Sequence, residues 1–187
     1  TERLSVVTSD RALRPNPAKQ VSAHASKCPF CPGNEEMTPP ADLVLVRRGE
    51  TLAKQTDTEG ELIKDWVVRA FPNKYPIVTP GASPSYGEYP HYSEPAIGYH
   101  YVLVATPKHG EHLAKVDIEQ WTNILASVQD KVRLLYGQRG VSFVLVFINS
   151  GKEAGATIDH PHLQIVTVPR LPPVVEESRP LCSPATG

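Results

Sequence analysis

The chain has 187 residues, which is about the length of one domain. Its 19 basic and 20 acidic side chains leave a net charge of −1, and this balance argues against a broad basic surface for nucleic acid or anionic lipid. No apolar run approaches the roughly 20 residues of a membrane span, and three cysteines are too few for a disulfide framework. We therefore expect a cytoplasmic protein that binds neither nucleic acid nor a membrane.

Proline is the unusual component, since 19 residues are about twice the usual share of ~5%. Twelve of the prolines lie in residues 1–95 and five in residues 169–187. Because proline is excluded from helix interiors and central strands, this distribution predicts a regular core at 96–168 behind a loop-rich front half. We assign residues 1–170 to one domain and residues 171–187 to an irregular C-terminal tail.

The front half contains three short apolar or β-branched runs, which predict strands at 4–7, 43–47 and 66–71. Residues 79–97 follow, with four prolines, two glycines and three tyrosines. This composition predicts an exposed loop, and a lid over a site is the alternative, since long loops often carry function.

The core begins with a predicted strand at 98–106, followed by a long helix. Asp117 is the predicted N-cap, and Gln120 three residues later completes a capping box. The glycines at 137 and 140 end the helix. Its apolar residues recur at steps of three and four and predict one buried face, formed by Ile118, Trp121, Leu125, Val128, Val132 and Leu135.

Two further apolar strands are predicted at 141–148 and 163–168. Strands therefore outnumber helices, and the long helix lies between two strands in the chain. The predicted class is α+β, with an antiparallel sheet and one main helix packed on it.

A metal site is predicted from the C-x2-C pair of Cys28 and Cys31. Structural zinc is almost always tetrahedral, so two more ligands are needed. His109 directly follows one core strand and His160 directly precedes another, and neighbouring strands would bring them together; His112 competes for the place of His109. A closed set of four protein ligands predicts a structural zinc that pins the front half onto the core.

The stretch around His160 and His162 suggests chemistry on a phosphate. In an extended chain alternate residues share a face, so His160, His162 and Gln164 point the same way. The loop before them, 149–157, contains Gly151 and Gly155, whose backbone N–H groups can approach an anion closely. A simple turn, a metal-binding pair or a polar surface pair are the alternatives.

Four segments together resemble the galactose-1-phosphate uridylyltransferases, a branch of the histidine-triad superfamily. CPFCPGNEEMTPP at 28–40 resembles the family's zinc knuckle, and DRALRP at 10–15 its N-terminal nucleotide-contacting segment. VVRAFPNKYPIV at 67–78 resembles its base- and ribose-binding strand. HPHLQ at 160–164 resembles its active-site motif, with leucine where glycine is common. The resemblance implies a histidine-triad-like sheet whose front half is stapled by zinc.

The resemblance also implies a role for individual residues. His162 matches the nucleophile, and Gln164 matches a residue that hydrogen-bonds the transferred phosphoryl oxygens. The zinc ligands it implies are Cys28, Cys31, His109 and His160. Further contacts to the nucleotide or its phosphates are implied for Arg11, Arg14, Asn73, Asn149, Gly155 and Thr157.

The implied activity transfers a nucleoside monophosphate, UMP, between sugar 1-phosphates in galactose metabolism, through a covalent nucleotidyl-histidine. Alternatives are a phosphorylase that acts on an ADP-sugar or a dinucleoside polyphosphate, a histidine-triad nucleotide hydrolase, and a non-catalytic nucleotide-binding half. The intact HPHLQ argues against the last of these. The family's enzymes run to about twice this length as two similar halves, so we expect either a homodimer or a fragment of a longer protein.

Overall fold

The computed structural model describes most of the chain, namely residues 5–6, 28–82, 87, 93–151, 153–154 and 156–178. Residues 5 and 6 have no regular structure, and the rest of the strand predicted at 4–7 lies outside the described residues. Arg11, Arg14 and Gly155 lie outside them too, so their predicted contacts stay predictions.

Six strands form one sheet in the order β2-β1-β3-β4-β6-β5, and every neighbouring pair is antiparallel. This confirms the predicted α+β class with an antiparallel sheet. The strands are β1 Leu43–Arg48, β2 Thr51–Gln55, β3 Trp66–Pro72, β4 His100–Val104, β5 Phe143–Phe147 and β6 His162–Val168.

Strand β2 was not predicted from the sequence. It pairs with β1 across a tight turn in which Gly49 has a φ of +62°, a conformation that favours glycine. Its residues alternate between exposed and half-buried, and it lies at the sheet edge, so it has no long apolar run to mark it.

Two α-helices lie in the part of the chain that the structure describes: α1, Ile118–Tyr136, and α2, Pro173–Glu177. Helix α1 packs across β1, β3 and β5. The short helix α2 lies in the tail that was predicted to be irregular. No helix in the described ranges is long and apolar enough to cross a lipid bilayer.

The predicted N-cap of α1 is confirmed, because the Asp117 carboxylate accepts a 2.7 Å hydrogen bond from the Gln120 backbone N–H. The reciprocal half of the capping box is absent from the described contacts. The Gln120 side chain instead donates to the carbonyl oxygens of Val67 (3.0 Å) and Ala105 (2.6 Å). It therefore ties the first turn of α1 to β3 and to the end of β4.

The predicted buried face of α1 is wrong at two positions, since Ile118 is 86% exposed and Leu125 is 58% exposed. Ile124, which the prediction omitted, is fully buried in the core. The buried side of the helix also carries a lysine. The ammonium of Lys131 is 2.5 Å from the Asp42 carboxylate and 3.7 Å from the centre of the Tyr101 ring. Burial lowers the pKa of Lys131, while Asp42 opposes that effect.

The two faces of the sheet pack against different parts of the chain. One face carries Leu103, Leu163 and Ile165 and packs against α1. The other carries Val102 and Val104 and is covered by the segment 28–41, through Phe30 and Ala41. Because residues alternate along β4 and β6, the side chains of His100, His162 and Gln164 lie on this second face.

The orientation of α1 is tested by comparing two isoleucines. Ile124→Ala leaves a cavity in the core, and we expect it to lower the free energy of unfolding by about 2–5 kcal/mol. Ile118→Ala removes an exposed side chain and should change that free energy by no more than about 0.5 kcal/mol. Urea unfolding measures both, and equal losses would contradict the orientation described here.

Candidate active site and metal centre

The site is built where the end of β4 meets the start of β6. Val104 pairs with His162 and Val102 with Gln164 in the antiparallel register. A backbone hydrogen bond from Ala105 N–H to the Pro161 carbonyl (3.0 Å) extends the pairing beyond both strands. Thr106 and His160 consequently lie side by side, and His109 follows three residues after Thr106.

Cys28, Cys31, His109 and His160 come together, with one ligand atom from each and all four atoms within 4.8 Å of one another. The Cys31 sulfur is 3.4 Å from His109 Nδ1 and 3.6 Å from His160 Nδ1. The Cys28 sulfur is 3.8 Å from His160 Nδ1. Ligand atoms around a tetrahedral zinc lie roughly 3.3–3.8 Å apart, so these four residues fit a metal ion of that kind.

His112, the alternative to His109, lies outside the cluster, although it lines the cleft beside His160. Its Nδ1 accepts a 3.2 Å hydrogen bond from the Ala114 backbone N–H and caps the short 3₁₀ turn Leu113–Lys115. The structure therefore places His109 in the cluster and gives His112 a local capping contact.

The protonation chemistry of the cluster also suits a metal. The Thr106 carbonyl lies 2.7 Å from His160 Nε2, and because a carbonyl only accepts, Nε2 carries the proton and Nδ1 a lone pair toward the cluster. Burial lowers the pKa of His160, which keeps the ring neutral. Burial raises the pKa of the Cys28 thiol to about 11, and a bound cation would favour the thiolate that ligation needs.

A buried carboxylate holds the loop that carries the cysteines. Glu35 is 2% exposed, and its Oε1 accepts hydrogen bonds from Gly33 N–H (3.1 Å) and from Trp66 Nε1 (2.9 Å). Asn34 Nδ2 donates to the Cys28 carbonyl at 2.9 Å. Sequence reasoning missed Glu35, because a glutamate in a proline-rich loop is usually solvated.

A buried ion pair anchors the far end of the same segment. The guanidinium of Arg69, on β3, is 2.6 Å from the Asp57 carboxylate and donates to the Thr38 hydroxyl at 2.6 Å. Asp57 also accepts from the Ala41 backbone N–H at 2.8 Å. Segment 28–41 is thus bound to the sheet at both ends.

His162 lies next to the cluster, on the same face of the sheet. Its Nδ1 is 2.7 Å from the carbonyl oxygen of His160, so Nδ1–H donates and Nε2 of the neutral ring carries the lone pair. The Phe30 ring lies edge-on to the imidazole, with the two ring centres 5.1 Å apart. The backbone carbonyl of His160, a residue of the cluster, therefore fixes the tautomer of His162.

Gln164 and Asn73 meet around His100, a residue to which the sequence reasoning gave no role. His100 Nε2 is 3.0 Å from Gln164 Oε1 and 3.0 Å from Asn73 Nδ2. The sequence gives one indication of this position of His100. Side chains alternate between the two faces along β4, so His100 lies on the same face as Val102 and Val104.

Two further predicted contacts, Asn149 and Thr157, lie on the loop before β6. Asn149 lines a cleft together with Gly151, His160 and Pro161. Thr157 is half-buried in the same loop, three residues before His160. The neighbouring surface of the sheet carries Gln164, His162 and Asn73. The predicted site residues that the structure describes therefore lie in the cleft and on the strand surface beside it.

Comparisons with known proteins point to one family. The family model for the galactose-1-phosphate uridyl transferase N-terminal domain matches residues 67–172. An ADP-glucose phosphorylase of Arabidopsis thaliana is 26% identical over an alignment 185 positions long, which covers 94% of this chain and 48% of that protein. A galactose-1-phosphate uridylyltransferase of Thermotoga maritima is 27% identical over 175 residues, 92% of this chain and 45% of that one.

A solved uridylyltransferase structure shares the fold, with a TM-score of 0.60 and 32% identity over 84% of this chain and 44% of the other. The chain spans about half the length of the curated relatives it matches.

Substitution of one cluster residue tests the metal centre. Cys28→Ser removes a ligand from a buried position, so we expect the bound metal to fall from about one per chain to near zero. A loss of about 3 kcal/mol would lower the Tm by roughly 6–12 °C at this length. Elemental analysis and thermal unfolding measure the two effects.

His112→Gln is the matched control, because His112 is close in sequence to His109 but lies outside the cluster. It should keep the full metal content. Metal retained by Cys28→Ser, or lost from His112→Gln, would contradict the ligand set.

Proposed function

The chain belongs to the galactose-1-phosphate uridyl transferase family, and we propose that it transfers a nucleoside monophosphate between sugar 1-phosphates through His162. The observation that carries the proposal is the hydrogen bond from His162 Nδ1 to the His160 carbonyl, which leaves the nucleophilic lone pair on Nε2. The curated relatives are enzymes that act on sugar nucleotides or sugar phosphates by name.

The proposed metal is zinc, held by two thiolates and two Nδ1 atoms. Four protein ligands close the coordination shell, so the role we assign to the ion is structural. When bound, zinc would immobilise the ring of His160, and His160 in turn holds His162 through its carbonyl. It would also join the front half of the chain, through Cys28 and Cys31, to the core at His109 and His160.

The proposed reaction has two displacement steps. Nε2 of His162 attacks the phosphorus bonded to the nucleoside, the bond to the bridging oxygen breaks, and a sugar 1-phosphate leaves with the bonding electrons. A second sugar 1-phosphate then attacks the nucleotidyl-histidine and restores the neutral imidazole. The leaving group is a phosphate of low basicity, so the reaction depends on positioning and charge stabilisation more than on a general acid.

Gln164 is the proposed donor to the phosphoryl oxygens, because it lies two residues after His162 on the same face of β6. Asn73 is the proposed nucleotide contact on the neighbouring loop. Asn149 and Thr157, with Gly155, are proposed phosphate contacts from the loop before β6, and Arg11 and Arg14 are proposed to contact the nucleotide or the sugar phosphate. Loss of a single well-placed donor typically costs about 10²–10³ in rate.

A second candidate is transfer of AMP from an ADP-sugar to phosphate. The Arabidopsis relative, an ADP-glucose phosphorylase, matches nearly the whole of this chain, with an identity close to that of the uridylyltransferase relative. Both reactions would use the same nucleotidyl-histidine and differ in base and acceptor. A homodimer, which would bring together two such halves, and a cytoplasmic location complete the proposal.

The covalent intermediate tests this function. We expect the protein to acquire acid-labile label from UDP-glucose carrying a radioactive phosphate on the uridine, or from ADP-glucose labelled likewise, and the productive substrate identifies the base. His162→Ala should abolish labelling while the protein stays folded with its metal bound, since the ring of His162 is not a ligand. Electrophoresis after acid-free quenching measures the label.

Ile118→Ala, an exposed position on α1 outside the cleft and the cluster, serves as the control and should label like the wild type. Full labelling of His162→Ala would show that another residue is the nucleophile. Label from neither substrate would favour a nucleotide-binding role without transfer.

A further inference from the structure

His100 is a buried histidine that connects three parts of the site. It is 4% exposed and is the first residue of β4. Its Nδ1 accepts a 3.1 Å hydrogen bond from the Ile77 backbone N–H, in the loop that follows β3. Its Nε2 lies 3.0 Å from Gln164 Oε1 on β6. The buried ring is therefore held by contacts from the loop after β3 and from β6.

The tautomer of His100 follows from these contacts. A backbone N–H can only donate, so Nδ1 must carry the lone pair, and the neutral ring then has its proton on Nε2. A protonated Nε2 can bond to Gln164 only through the carboxamide oxygen, which is the atom that faces it. The orientation of the Gln164 amide is therefore set by the Ile77 N–H, acting through the imidazole.

The register of the sheet makes this contact possible. His100 pairs with Val166, and Gln164 is two residues earlier on β6, so the two side chains are diagonal neighbours on one face. Such neighbours are within reach of long side chains. Since the oxygen of Gln164 is bound to His100, its NH₂ group is turned away from that ring.

Asn73 places a second donor beside the same ring nitrogen, and this is the described contact that the assigned tautomer leaves unused. Its Oδ1 accepts a 2.9 Å hydrogen bond from Tyr75 N–H, which fixes the amide with Nδ2 on the other side, 3.0 Å from His100 Nε2. Two N–H groups cannot bond to each other, so Asn73 does not compete with Gln164 for the proton of His100.

We propose that His100 is a positioning residue, which holds the Gln164 carboxamide with its NH₂ group toward the transferred phosphoryl oxygens. The proposal rests on the function given above for His162 and Gln164. Rotated by half a turn, the amide would present its oxygen to the anionic phosphate and repel it. His100 thus acts on the reaction through Gln164, and its contribution disappears when the amide is absent.

A double-mutant cycle measures that dependence. His100→Phe keeps a planar ring and removes both nitrogens, and we expect it to slow formation of labelled nucleotidyl-His162 about 10- to 100-fold, the usual effect of a residue that orients a functional group. The loss should fall on the single-turnover rate, with a smaller change in the substrate concentration at half-saturation. In the Gln164→Ala background, His100→Phe should have almost no further effect.

Thr167→Val is the matched control. Thr167 is also fully buried on β6 and accepts a 2.8 Å hydrogen bond from Tyr99 N–H, so the variant loses a buried hydrogen bond of the same sheet without touching Gln164. It should lower the Tm and leave the labelling rate unchanged.

Wild-type rates in His100→Phe, or a loss of the same size in the Gln164→Ala background, would overturn the role of His100. An unlabelled wild-type protein would instead overturn the function on which it rests. Should His100→Phe fail to fold, the ¹⁵N NMR signals of His100 in the wild type give the answer. A proton on Nε2 supports the proposal, and a proton on Nδ1 contradicts it.

Discussion

The hydrogen bond from His162 Nδ1 to the His160 carbonyl is the interaction on which the rest of the site depends. It requires the two histidines to lie two residues apart in an extended chain, where they share a face. His160 is immobilised by its bond to the Thr106 carbonyl and by the Cys–His cluster. The Cys–His cluster and the proposed nucleophile are therefore coupled through the backbone of a single residue, and the ring of His162 has one tautomer and one orientation.

The two faces of the sheet carry different kinds of side chain. The face against α1 carries the larger apolar core, whereas the opposite face carries the polar groups and is covered by the segment 28–41. That segment is held by Glu35, which bonds to Trp66, and by Arg69, which bonds to Asp57 and Thr38. Buried charges with such partners avoid the cost of an unpaired charge, so the segment 28–41 is an ordered part of the site.

Much of this architecture was predictable, because residue type and spacing carry the information. The strands of the core are apolar runs, and a C-x2-C pair needs two more ligands, which the strand ends supply. The orientation of α1 was not predictable from apolar spacing, because the pairing of Lys131 with Asp42 joins residues far apart in the chain. The role of His100 was hidden for the same reason, since it depends on the register between β4 and β6 and on a backbone N–H of a loop.

The central claim is that Nε2 of His162 forms the bond to phosphorus while Nδ1 stays bound to the His160 carbonyl. The most direct measurement is NMR of the trapped nucleotidyl-protein, made with ¹⁵N-labelled histidine, which detects the coupling between ³¹P and the ring nitrogen that carries it. The account predicts coupling to Nε2 of His162 and a proton on Nδ1. Coupling to Nδ1 of His162, or to any nitrogen of another histidine, would contradict it.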